Sequence, residues 1–106
     1  IFFTSKRASR GDVGISLYSA SKAAITGFSN CLSKEYSNYN ITSNCIQLGY
    51  FKTKLFEKIP SKIRYKLLNQ IPNKKLGNIS NINNVIHAIV NSEYINGSTV
   101  DIDGGI

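Results

Sequence analysis

The chain has 106 residues, 42% of them hydrophobic and 18% charged, with a net charge of +7. That length is one domain or part of one, too apolar for a disordered chain and small for a complete enzyme that holds two ligands. No apolar run approaches the roughly 20 residues that span a bilayer, and "IFFTSKRASR" sets its bulky residues ahead of its charges, the reverse of a secretory signal, so a soluble cytoplasmic protein without a membrane partner is expected.

In chain order, "IFFTS" is apolar and β-prone and predicts a short buried strand that starts without a preceding turn, as though the chain were entered in the middle. Residues 6 to 16 are polar, contain Gly11 and Gly14, and predict a loop. Ala20, Ala24, Phe28, Cys31 and Leu32 then recur at three- and four-residue spacing, which predicts a helix from about Leu17 to Ser37. "ITSNCIQL", residues 41 to 48, predicts a second strand that Gly49 ends.

Residues 50 to 75 hold Pro60, Pro72 and many lysines, and predict one or two short helices in a long excursion, the kind that forms a lid or binding loop. Ile82, Val85, Ile86, Ile89 and Val90 predict a helix over residues 81 to 92, capped by Ser80 or Asn81. "STVDIDGG" alternates into a last strand before a glycine pair. Strands alternating with helices imply an α/β fold with a parallel sheet, in which ligands collect at the carboxyl ends of the strands.

The basic residues form small groups: Lys6, Arg7 and Arg10, then several between Lys52 and Lys66, then Lys74 and Lys75. They accompany no zinc-finger, helix-turn-helix or RNA-recognition pattern, so a solvated surface is expected and no nucleic-acid partner. Cys31 and Cys45 stand alone, without a CxxC or a histidine pair, which points to buried thiols rather than a zinc site or a disulfide. Asp101 and Asp103 lie on one side of an alternating strand, where a structural or cofactor-side role is expected before a metal pair. His87 falls in the last helix, away from the strand ends, and reads as structural.

"YSASKAA" carries the chemistry. Tyr18 and Lys22 are four apart and share one helix face near the end of the first strand, where Ser5 sits. A phenol with a pKa of about 10 transfers protons poorly near neutral pH, and a neighbouring ammonium stabilises its phenolate. A hydroxyl, a phenol and an ammonium can therefore converge, with Thr4 in place of Ser5 if the strand register slips by one.

These residues resemble a known family. Tyr18 and Lys22, with Ser5 thirteen residues upstream, look like the Y-x-x-x-K and serine of the short-chain dehydrogenase/reductases; "NCIQLGYFKTKL" resembles their N-x-x-x-P-G-x-x-x-T segment, with Leu48 in place of the proline, and "GSTVDIDGG" resembles their terminal G-x-x-x-x-x-D-G-G strand. The 3-oxoacyl-[acyl-carrier-protein] reductase type is the nearest likeness.

The resemblance implies an oxidoreductase that moves hydride between a nicotinamide cofactor, NADP ahead of NAD, and a carbonyl or alcohol substrate. In it Tyr18 is the acid/base, Lys22 eases the tyrosine's ionisation and holds the nicotinamide ribose, and Ser5 hydrogen-bonds the substrate oxygen. Gly49, Phe51 and Thr53 match positions on the nicotinamide side of the cofactor, and residues 54 to 76 match a mobile lid. It further implies that residues 1–106 are the carboxyl-terminal half of a Rossmann domain, its last three strands with their crossover helices, that the dinucleotide-binding half is absent, that the complete protein forms homo-oligomers and that the piece alone is inactive. The competing expectation is a non-catalytic truncated domain that acts by packing against a partner.

Overall fold

The computed structural model describes residues 1–106. In chain order it contains strand β1 (Phe2–Ser5), helices α1 (Lys6–Arg10) and α2 (Ser16–Glu35), a 3-10 turn (Ser37–Tyr39), strand β2 (Cys45–Leu48), helices α3 (Lys54–Glu57), α4 (Ser61–Gln70) and α5 (Ile79–Val90), and strand β3 (Thr99–Ile102). The strands form one parallel sheet in the order β1-β2-β3. This is the expected α/β class, a partial Rossmann-like sheet. Ser5, Leu48 and Ile102 are in register, so the three carboxyl ends share one rim. No helix is long and apolar enough to cross a membrane.

Central β2 buries Cys45, Ile46 and Gln47 in succession, as a strand covered on both faces must. The strand is shorter than its apolar run: pairing begins at Cys45, and just before it Ser43 and Asn44 are also bonded to the turn that precedes β3. Ser43 N–H donates to Asn96 Oδ1 at 2.9 Å. Buried Asn44 donates from Nδ2 to the Ile95 carbonyl at 2.8 Å and accepts the Ser98 N–H at 3.0 Å, clipping the approach to β3 against the start of β2.

Helix α2 runs within two residues of its expected bounds, with its apolar stripe bared in this chain. Ala20, Ala24, Phe28 and Cys31 are exposed, Phe28 by 56%, and only Leu32 of the expected stripe is half-buried. The face against the sheet carries Ser29, 1% exposed, and Ser33, with Ser29 Oγ 2.9 Å from Ser43 Oγ. Small hydroxyls let the helix axis come close to the strands, and their mutual hydrogen bond offsets the cost of burying them. The expectation of two buried thiols therefore holds for Cys45 and fails for Cys31.

The expected loop after β1 contains α1, whose amino end is capped by Ser5 and whose end is turned by Gly11 at φ 71°, a region glycine enters without strain. Five residues are too few to show a period. Helix α5 starts two residues earlier than expected, at a reciprocal cap: the Asn78 side chain accepts the Ser80 N–H and the Asn81 side chain accepts the Asn78 N–H.

Asn44→Ala leaves the Ile95 carbonyl and Ser98 amide without their partners beside the sheet. Such a loss costs about 1–3 kcal/mol; a chemical-denaturation midpoint equal to wild type would show that the clip contributes nothing.

Candidate active site

The site is built from the first turns of α2 outward. The Thr4 hydroxyl donates to the Lys22 carbonyl at 2.9 Å, fixing α2 against the end of β1. The Ser19 hydroxyl donates to the Arg7 carbonyl at 3.0 Å, fixing the same helix against α1. The sheet-side turn that carries Tyr18 and Lys22 is thus held at two points.

Thr4 is committed to that bond, which leaves Ser5 as the free hydroxyl of the strand end. Ser5 Oγ is buried and accepts the Arg7 N–H at 3.3 Å, and its own proton has no acceptor within the chain. Ser5 therefore combines a fixed position, set by its role as the cap of α1, with a proton to donate.

Gly49 follows β2 with its N–H on the Ile102 carbonyl at 3.0 Å. A Cβ there would meet Asp103 Cα at 2.7 Å and Asp103 Cβ at 2.8 Å, so the close passage of the two strand ends requires glycine. Buried Phe51 bridges to Gly77, where an added Cβ would meet the Phe51 ring at 2.5 Å, so the chain after β2 is pinned to the far end of the excursion. Thr53 caps α3 by accepting the Phe56 N–H at 3.2 Å. The excursion closes through Ile71, 1% exposed, against the Gly104 turn, which accepts the Asn73 N–H at 3.2 Å.

Ser5, Tyr18, Lys22, Gly49, Phe51 and Thr53 all line one open cleft of about 390 Å³. Thr4, Arg7 and Tyr50 join them, with Leu55, Phe56 and Ile59 as an apolar wall from the excursion. The cleft contains two cationic residues and no carboxylate. The polar groups among its lining residues include an ammonium, a phenol and threonine and serine hydroxyls. An anionic lining would repel a phosphorylated cofactor, and none is present.

His87 lies on α5, outside the cleft. Asp101 and Asp103 both reach Lys6, whose Nζ lies 2.5 Å and 3.1 Å from their Oδ2 atoms. Gln47 Nε2 donates to Asp101 Oδ1 at 2.9 Å and to Ser9 Oγ at 3.0 Å, so α1 is tied to β2 and β3 at once. This network was not foreseen from the sequence, although a lysine directly after a strand-end serine and two aspartates at the end of the last strand are its visible parts. Arg7 and Tyr50 were likewise missed as lining residues. The only signal was their position beside Ser5 and Gly49.

Hydrogen bonding to Asp101, then to Asp103, raises the Lys6 pKa above the ordinary 10.5. Hydrogen bonding to Arg7, assisted by Arg10, lowers the Asp12 carboxyl below 3.8. A raised lysine stabilises the fold at pH values below 10.5, and that contribution disappears as pH rises through the raised value. Stability should therefore decline above pH 10.5, and the decline should be shallower in Lys6→Met. Parallel alkaline unfolding curves for the two proteins would contradict the clamp.

Fold and cleft together define a class: a parallel α/β chain whose strand ends open onto a small, cationic ligand site. A family model described as enoyl-(acyl carrier protein) reductase matches residues 1–106, and the chain belongs to the short-chain dehydrogenase/reductase family. It is 34% identical over 98 residues to a 3-oxoacyl-[acyl-carrier-protein] reductase of Thermotoga maritima and 33% identical over 98 residues to one of Pseudomonas aeruginosa, covering 91% of this chain in each case. It is 30% identical over 98 residues to the human (3R)-3-hydroxyacyl-CoA dehydrogenase, again across 91% of this chain. The chain spans 40% of the length of the two bacterial relatives and 38% of the human one.

Proposed function

We propose that the chain is the carboxyl-terminal half of an oxidoreductase that interconverts a carbonyl compound and its alcohol with a nicotinamide cofactor, and that it does not turn over by itself. The observation that carries this reading is the meeting of Ser5, Tyr18 and Lys22 with Gly49, Phe51 and Thr53 around one cleft. The names of the relatives, reductases and a dehydrogenase of acyl substrates, agree with it.

The cofactor supplies or accepts hydride when bound. This chain supplies the acid/base end of the site. Ser5, with its spare proton and its position set by the α1 cap, hydrogen-bonds the substrate oxygen. Tyr18 gives that oxygen a proton in reduction and takes it back in oxidation. Lys22, one helical turn away, supplies the positive charge that makes the proton transfer easier and holds ribose hydroxyls. Gly49, Phe51 and Thr53 form the opposite wall, where the carboxamide end would rest. NADP is taken ahead of NAD on the family likeness.

The fold supports incompleteness in physical terms. Only Cys45, Ile46, Phe51, Phe56, Ile71 and Ile89 form the buried apolar core. The radius of gyration is 15.1 Å, against about 13 Å for a compact chain of this length. The bared α2 stripe and the unpaired edge of β1 are surfaces that the other half of the domain, or a second copy in a homo-oligomer, would cover. The same stripe is what a non-catalytic packing module would use, but such a module has no need of the cleft.

In the full-length protein, Tyr18→Phe should lower turnover by roughly 10²–10⁴-fold or more while leaving the circular-dichroism melt unchanged, as expected for loss of a general acid. Retained turnover would rule out the role given to Tyr18. The 106-residue chain alone should show no enhancement of NADPH fluorescence at micromolar concentrations; tight binding would contradict its being half of the site.

A further inference from the structure

One cation in the cleft is left without a task. Lys22 has the ribose and the tyrosine, but Arg7, two residues after Ser5, also lines the cleft, and the mechanism does not use it. Its Nε donates to Asp12 Oδ2 at 2.8 Å, while neither terminal amino group has a hydrogen-bond partner in the chain. Asp12 is shared: Arg10 Nη2 donates to both its oxygens, at 2.9 and 3.0 Å. Two guanidinium groups on one carboxylate leave a net positive charge, and the shared aspartate holds Arg7 by one edge with its terminal nitrogens free. A planar guanidinium so held is prepared to grip an oxyanion. The rest of the cleft wall offers no carboxylate to compete.

Resting on the oxidoreductase reading, we infer that the substrate carries an anionic group, a carboxylate or a phosphate, near its reacting carbonyl, and that Arg7 is the residue that selects it. Ser5 and Arg7 are two positions apart at the start of α1 and face one cleft of about 390 Å³, so a small molecule can present its carbonyl oxygen to Ser5 and Tyr18 and its charge to Arg7 together. The apolar wall of Leu55, Phe56 and Ile59 takes the carbon skeleton between them.

The test uses the full-length protein and matched pairs of carbonyl substrates: acetoacetate against methyl acetoacetate, and dihydroxyacetone phosphate against dihydroxyacetone. The wild type should prefer the charged member of at least one pair, and which pair separates carboxylate from phosphate. Arg7→Gln should lower kcat/KM for that charged substrate by roughly tenfold to a hundredfold, the range of a hydrogen bond to a charged group, chiefly through KM. The neutral partner should change by less than about threefold, and Arg7→Lys should recover part of the loss. Arg10 still pairs with Asp12 in both variants, so neither leaves a bare carboxylate. Equal losses on charged and neutral substrates would make Arg7 merely structural and overturn the inference, as would a wild type that reduces neutral carbonyls better. A protein inactive on every carbonyl compound, with Tyr18→Phe indistinguishable from wild type, would instead overturn the oxidoreductase reading beneath it.

Discussion

The hydroxyl of Thr4 on the carbonyl of Lys22, and the hydroxyl of Ser19 on the carbonyl of Arg7, fix the rotation of α2 about its own axis. Much of the site hangs on that rotation. Each residue of an α-helix advances by about 100°, so a slip of one position would carry Tyr18 and Lys22 off the rim together. The two bonds come from different elements, a strand and a short helix, and they hold α2 at residues 19 and 22, just after the tyrosine. A helix held by apolar packing alone could slide or roll at little cost; one held by directional bonds to backbone carbonyls has a single seating.

The remaining parts of the rim are arranged so that none needs a side chain to bend far. Ser5 serves two elements, ending β1 and capping α1, and this dual use fixes its oxygen within the rim. The Lys6 clamp ties α1 to the last strand, with Gln47 as the middle strut. Gly49 lets β2 and β3 leave the sheet almost in contact, which narrows the floor of the cleft. The excursion between β2 and α5 contributes the apolar wall and is anchored at both ends, through Phe51 against Gly77 and Ile71 against Gly104.

Sequence patterns disclosed the elements with a strong period or a composition of their own: β1, α2, β2, α5 and β3 all lie within a few residues of where they were expected. The residues expected to bind and react were legible for another reason, their spacing within motifs, and the structure gathers all six around one cleft. What could not be read was orientation. The α2 stripe of Ala20, Ala24 and Phe28 has the period of a core face, but a period says only that a face is apolar and not what it meets; within this chain only Phe28 finds an apolar partner, the edge of Phe2, and serines meet the sheet. The Lys6 network was hidden because its members lie 95 residues apart along the chain. Short α1 was hidden because five residues show no period, although Ser5 and Gly11 mark its two ends.

The account comes down to whether Ser5, Tyr18 and Lys22 surround one reacting oxygen. A crystal structure of the full-length protein with oxidised nicotinamide cofactor and an alcohol product would decide it. The alcohol oxygen should lie within about 3.2 Å of both Ser5 Oγ and Tyr18 Oη, with Lys22 Nζ on the ribose. Density for the cofactor and alcohol away from these three residues, or a Tyr18 side chain turned out of the cleft in the bound state, would contradict it.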